Sequence, residues 1–229
     1  MIHEDITLGP VRLILGDCLK IAPTLEGVDA VITDPPYGMN WNTDTTRFSG
    51  GAVERGYGRN DYAPIHNDAG PFDPSPWAQF KKCVLFGSNH FGSRLPVGTT
   101  LVWIKRNDDA FQSFLSDAEV AWMKGGHGIY CRRVLPAPNQ KGLHPTQKPV
   151  ELMSWCMDMA KVQQGHLILD PYMGSGTTLI AAIRTGRRAI GIEIDPTHYR
   201  TAVERVRREL AQPTLQFEPQ PQPKQEVLL

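Results

Sequence analysis

Apolar residues along this chain come in short runs, separated by polar segments rich in glycine and proline. Short runs bounded by such breakers fit buried strands, and apolar positions recurring every three or four residues mark helices. Strands are expected at Val11 to Leu15, Val28 to Thr33, Cys83 to Gly87, Thr99 to Ile104, His166 to Leu169 and Arg188 to Ile192. Ala118 to Lys124 and His127 to Arg132 read as the arms of a hairpin about Gly125-Gly126. Leu19 to Leu25 suits a short crossover. A helix is expected from Thr146, as N-cap, through about Lys161, with Pro149 in its first turn. Its apolar positions are Leu152, Met153, Cys156, Met157 and Ala160. Two more helices follow, Leu179 to Thr185 and Pro196 to Leu210, the last capped by Asp195. Strands alternating with helices predict an α/β fold: a doubly wound, mostly parallel sheet with an antiparallel edge hairpin. Residues 212–229 are Pro/Gln-rich and without periodicity, and are expected to form a disordered tail.

The polar residues at the strand ends carry the candidate chemistry. The strand ending at Thr33 stops at Asp34-Pro35-Pro36-Tyr37, because prolines lack the N–H that a sheet ladder needs. In an open α/β sheet, ligands bind just past the carboxyl ends of the strands. There a carboxylate, a rigid backbone carbonyl and an aromatic face suit a planar group bearing an amine. The strand ending at Leu169 runs into Asp170-Pro171-Tyr172-Met173-Gly174-Ser175-Gly176-Thr177-Thr178 and a helix. The next strand ends in Glu193, placed to hold ribose hydroxyls. Only Gly174-x-Gly176 is present, without the longer pyrophosphate fingerprint or a Walker lysine. The ligand expected is therefore a ribose-bearing molecule with a smaller charged group. His90, His127 and His166 share no ligand spacing and read as packing or surface residues, and no metal site is expected. Asn89 follows a strand end and can line the site.

Composition narrows the setting. The chain has 229 residues with 24 basic and 24 acidic side chains, so no global field marks a polyanion partner. One local tract, Lys124 to Val150, has no acid but contains Lys124, Arg132, Arg133, Lys141 and Lys148, and reads as a phosphate-contacting segment. A long irregular stretch, residues 39–76, scatters arginines and aromatics among acids and glycines; loops of this length are commonly functional. Cys18, Cys83, Cys131 and Cys156 are widely spaced and read as free thiols. No apolar run reaches membrane length and no leader pattern opens the chain, so a cytoplasmic protein is expected.

Taken together, Asp34-Pro35-Pro36-Tyr37, His144-Pro145-Thr146-Gln147-Lys148-Pro149 and Asp170-Pro171-Tyr172-x-Gly174-Ser175-Gly176-Thr177-Thr178 resemble the S-adenosylmethionine-dependent DNA amino-methyltransferases. The tetrapeptide precedes the cofactor glycines, as in the permuted beta class of that family. The resemblance covers Val11 to about Leu210. It implies a Rossmann-like methyltransferase domain over residues 1–211, with segments 39–76 and 124–148 as DNA-contacting insertions. The cofactor would be S-adenosyl-L-methionine. It would meet Asp170, Tyr172, Gly174, Ser175, Gly176 and Thr177 at the loop, with Tyr172 where the family more often has Phe. Glu193 would take the ribose, Asp17 with Cys18 beside it the adenine amino group, and Thr146 and Lys148 the methionine carboxylate. Asp34, Pro35, Pro36 and Tyr37 would hold a flipped-out target base. Arg132, Arg133 and Lys141 would contact phosphates, while Arg47, Arg55 and Arg59 would read bases. The resemblance implies methylation of adenine N6 in double-stranded DNA. Cytosine N4 remains a rival, although Ser commonly replaces Asp34 there. RNA or protein-amide methylation, where Asn is commoner, and an inactive DNA-binding homologue are further rivals. A homodimer and a separate restriction endonuclease are partners it leaves open.

Overall fold

A computed structural model describes residues 2–39, 68, 70–111, 116–135 and 147–212. Eight strands form one sheet: β1 Ile2–Leu8, β2 Val11–Gly16, β3 Ala30–Thr33, β4 Cys83–Phe86, β5 Gly98–Ile104, β6 Ala118–Arg133, β7 Leu167–Asp170 and β8 Arg188–Glu193. Their spatial order is β1-β2-β8-β7-β3-β4-β6-β5. The five strands from β2 to β4 in that order run parallel.

Side chains alternate between two cores because a strand's faces alternate. Leu13, Leu15, Ile32 and Ile168 point to one core, Ile14, Val31 and Leu169 to the other. The first core is closed by α4 Val150–Met159, α5 Thr177–Arg184 and α6 Pro196–Leu210. The second is closed by the short α1 Cys18–Ile21, α2 Ser75–Ala78 and α3 Ser88–Phe91, through residues such as Cys18, Trp77 and Phe91. Helices on both faces of a mostly parallel sheet make the fold Rossmann-like and doubly wound.

Three details differ from the sequence reading. The antiparallel edge hairpin is β1–β2, turning at Gly9 with φ +53°. Both faces of β1 are largely exposed, so it carries no apolar period to read. Second, the arms about Gly125-Gly126 do not pair with each other. The first limb of β6 runs antiparallel to β5 (Ile104↔Ala118, Leu101↔Ala121), and the second returns parallel along its other side (Leu101↔Tyr130, Ile104↔Arg133). β5 therefore lies between the two limbs, and the glycines carry the chain over its end, where Gly125 meets Gly98. Third, α4 begins at Val150 with Pro149 as N-cap and no side-chain capping bond, so Thr146 is not the cap. Asp195 does cap α6, accepting from the amides of Thr197 and His198 at 2.7 and 3.0 Å. Residues 40–67, 136–146 and 213–229 lie outside the described residues. They contain most of the expected loop with its three arginines, Lys141 and the tail.

Candidate active site

The carboxyl ends of β2, β8, β7, β3 and β4 open on one cavity of about 1080 Å³. Its centre is the switch point between β7 and β3: from β7 the chain moves to β8 on one side, and from β3 to β4 on the other. That is where an open α/β sheet leaves a crevice. Asp170 and Asp34 end the two strands that flank it. Thr33 Oγ1 ties them together, donating to Asp170 Oδ1 at 2.6 Å. Burial pushes the Asp170 carboxyl up to about 6, although Thr178, Thr33 and the Tyr172 amide donate to it.

On the β7–β8 side, the loop after Asp170 is anchored by Glu193. One carboxylate oxygen accepts from the Gly174 amide at 2.9 Å, and the other from the Ile194 and Asp195 amides at 2.9 and 2.8 Å. Gly174 and Gly176 both adopt left-handed backbone, φ +50° and +82°. A Cβ on Gly174 would meet nothing, so its backbone faces open space; one on Gly176 would lie 3.1 Å from Ala202 of α6. Gly174 thus opens the wall, while Gly176 lets the loop close on the helix and does not itself line the cavity. Arg205 of α6 clamps the same loop by donating to the Ser175 carbonyl and hydroxyl. Asp17 lines the cavity and caps α1 through the Leu19 amide at 3.0 Å. Cys18 beside it is buried, and burial pushes its thiol up to about 12, offset in part by a hydrogen bond from Tyr172. The Tyr172 ring stands edge-on to Trp77 and Phe72.

On the β3–β4 side, the Asp34-Pro35-Pro36-Tyr37 turn folds back on itself. Tyr37 Oη donates to Asp34 Oδ1 at 2.5 Å, and its ring lies 5.1 Å from His90, nearly parallel at 13°. Gly87, left-handed at φ +75°, makes room for that ring; a Cβ there would fall 2.1 Å from it. The end of the turn is fixed by Asp68, which accepts from the Gly38 amide at 2.7 Å.

Lys148 is deeply buried and bridges two acids, 2.5 Å from Asp34 Oδ2 and 3.0 Å from Glu119 Oε2. Lys105 holds the other oxygen of Glu119 at 2.8 Å. The Lys148 ammonium also lies over the Phe86 and Trp103 rings, at 5.3 and 6.0 Å. Burial alone would lower its pKa, but Asp34, Tyr37 and Glu119 hold it well above the ordinary value. Burial raises the Asp34 carboxyl, with Lys148 countering in part. Burial also acts to raise Glu119, yet its two lysines leave it below the usual range. Lys148 meets Asp34, whereas the resemblance puts it beside the methionine carboxylate.

Asp17, Cys18, Asp34, Pro35, Pro36, Tyr37, Lys148, Asp170, Tyr172, Gly174, Ser175, Thr177 and Glu193 thus line one cavity, as do Asn89 and His90. Arg132 and Arg133 lie outside it on the second limb of β6, paired with Glu151 and Asp108 at 2.6 Å each. Two members of the basic tract are committed internally. Lys148 is in the site, and Lys124 donates to the carbonyls of Ala78, Gln79 and Phe80. Neither can serve as a phosphate contact. Thr146, Arg47, Arg55, Arg59 and Lys141 lie outside the described residues. Sequence reading passed over Glu119; its one signal was an acid set among apolar neighbours in a strand.

Comparison with known proteins bears on the class of this chain. A family model described as DNA methylase matches residues 100–204. The YubD protein of Escherichia coli (strain K12), named as a methylase, is 27% identical over 210 residues, 85% of this chain and 89% of that one. A crystal structure of M1.HpyAVI in complex with S-adenosylmethionine superposes with a TM-score of 0.55 at 26% identity, covering 85% of this chain and 99% of that one. The chain is thus similar to the N6/N4 DNA amino-methyltransferases, in sequence over residues 100–204 and in fold over most of its length. Type II methyltransferase M2.DpnII of Streptococcus pneumoniae is 32% identical over 117 residues, 48% of this chain and 42% of that protein. PvuII DNA methyltransferase, described as cytosine-N4-specific, shares the fold with a TM-score of 0.56 at 13% identity, over 89% of this chain and 92% of that one.

The methyl donor of the family is S-adenosylmethionine, and this cavity's wall fits it. Glu193 would offer acceptors to ribose hydroxyls, and the open Gly174 backbone would allow close approach. The Gln147 amide has both polar atoms buried without a partner among the described residues. Among the described residues no helix is long and apolar enough to cross a membrane.

Proposed function

We propose that this methyltransferase acts on the N6 amine of adenine in duplex DNA. The observation that carries the reading is the acid at position 34, set at the switch-point crevice beside the cofactor loop. An exocyclic amine is a poor nucleophile because its lone pair is delocalised into the ring. Hydrogen bonds from its N–H groups to the Asp34 carboxylate and the Pro35 carbonyl draw the nitrogen towards tetrahedral geometry and free that pair. S-adenosylmethionine supplies a sulfonium methyl, so that a C–N bond forms as the C–S bond breaks and leaves a neutral thioether. The methylated nitrogen then sheds a proton, for which Asp34 is the nearest acceptor on the proposed path. Positioning and fixed acceptors carry most of the acceleration.

The target base must leave the helix to reach this crevice. Tyr37 offers the stacking face, which requires His90 to give way or to close the sandwich. Arg132 and Arg133 supply phosphate contacts, for which DNA competes with Glu151 and Asp108. The long segment carrying Arg47, Arg55 and Arg59 would read bases.

The test is radiolabelled methyl transfer to unmethylated genomic DNA followed by nucleoside analysis. N6-methyladenine is expected. N4-methylcytosine in the digest would overturn the substrate assignment.

A further inference from the structure

Each Asp34 oxygen already holds one donor. Tyr37 Oη occupies Oδ1 at 2.5 Å and Lys148 Nζ occupies Oδ2 at 2.5 Å. A target amine must share Asp34 with these donors, and a carboxylate already neutralised by an ammonium is the weaker acceptor; its full strength returns when one of them leaves. Tyr37 carries the stacking ring, so its position is constrained by the base itself. Lys148 can leave only if its charge finds another partner, because an unpaired ammonium in a buried site is strongly unfavourable. That partner is already in place: Glu119 Oε2 lies 3.0 Å from the same nitrogen, and Lys105 steadies its other oxygen at 2.8 Å.

We infer that Glu119 is a positioning residue for methyl transfer: it receives Lys148 from Asp34 as the target amine arrives. The inference rests on the proposed role of Asp34 as amine acceptor. The exchange is balanced in bonds and charge. The amine's N–H replaces the Lys148 N–H at Asp34 Oδ2, and Lys148 keeps one carboxylate and the faces of Phe86 and Trp103. No proton need move. The charged groups facing Lys148 are Asp34 from the β3 turn and Glu119 from β6, with Tyr37 polar beside them and Lys105 behind Glu119. Without Glu119, Lys148 has Asp34 as its one carboxylate partner among the described residues. The acceptor then stays masked.

The experiment is single-turnover methyl transfer to unmethylated DNA at saturating cofactor, with S-adenosylmethionine affinity and DNA affinity measured on the same preparations. Glu119→Gln should slow transfer at least tenfold while both affinities stay within twofold, and Glu119→Asp should recover part of the rate. Combined with Lys148→Met, the Glu119→Gln change should cost far less than it does alone, because no ammonium is left to mask Asp34. A wild-type rate for Glu119→Gln, or losses that simply multiply in the double variant, overturns the inference. So does a rate loss matched by loss of cofactor binding, which would mark Glu119 as merely structural. Nucleoside analysis of the same reactions separates the two readings: methylcytosine there sinks the adenine assignment and leaves the role of Glu119 standing.

Discussion

Glu193 and Asp34 line one cavity, and the protein holds them by different means. Glu193 is gripped by three backbone amides, those of Gly174, Ile194 and Asp195. Asp34 is gripped by two side chains, Tyr37 and Lys148. Backbone donors move only if the loop moves, so Glu193 and the glycine turn form one rigid wall. Side-chain donors can rotate away, so Asp34 can change partners without a change of fold. The cofactor side is thus built to be complementary before binding, and the acceptor side to become so during it.

The sharpest way to break this contrast is Asp34→Ala. Lys148 keeps Glu119, so the fold should survive with S-adenosylmethionine affinity intact, while single-turnover transfer falls by about 100- to 1000-fold, the scale for losing one preorganised electrostatic contact. Loss of cofactor binding in calorimetry would show that the two sides are not separable. Glu193→Ala should behave in the opposite way. It frees three amides and, on the proposed reading, removes ribose acceptors, so cofactor affinity should drop by about 1.5–3 kcal/mol. Its melting temperature should fall as well; an unchanged melting temperature would mean the loop is not held by this acid.

Asp170 gives a smaller effect with a definite sign. Its carboxyl sits at about 6 in the folded protein, against about 3.9 when exposed. Between these values the folded state binds more protons than the unfolded one, so stability from this group falls as pH rises from about 4 to 6 and is flat above. Asp34 and Glu193 are also raised, so the comparison must be with Asp170→Asn. That variant should gain about 1–3 kcal/mol on wild type between pH 4 and pH 7. Parallel stability curves for the two proteins would sink the assignment.

The same contrast explains what could be read without coordinates. The cofactor wall is local in sequence: Asp170 to Thr178 and Glu193 lie on one strand–turn–helix–strand unit, and its glycines announce themselves. The Asp34 turn was equally legible, because two prolines must end a strand. Its partners were not. Lys148 pairs with an acid 114 positions away, and the one cue to Glu119, an acid among apolar strand residues, does not say which cation it meets. The strand β1 escaped notice because neither face is buried. The glycine pair at Gly125-Gly126 correctly marked a reversal, yet no local signal shows that β5 occupies the slot between the arms. The close approach at Gly98 was the trace of it: a Cβ there would fall 2.2 Å from the Trp122 indole nitrogen.

The sheet's pairing pattern also sets an order of assembly. β5 and the two limbs of β6 pair within one short segment, Gly98 to Arg133. Such local contacts close small loops and can form early. The centre of the sheet is different. Val11 pairs with Ala189 and Ala30 with Ile168, so β2 and β3 gain these partners only after a long intervening stretch has been made. On the ribosome the Asp34 turn emerges well before β7, the strand that completes its crevice. A nascent chain carrying the acceptor motif therefore has no donor site beside it, and cofactor capture can begin only once β7 and β8 have been added to the sheet.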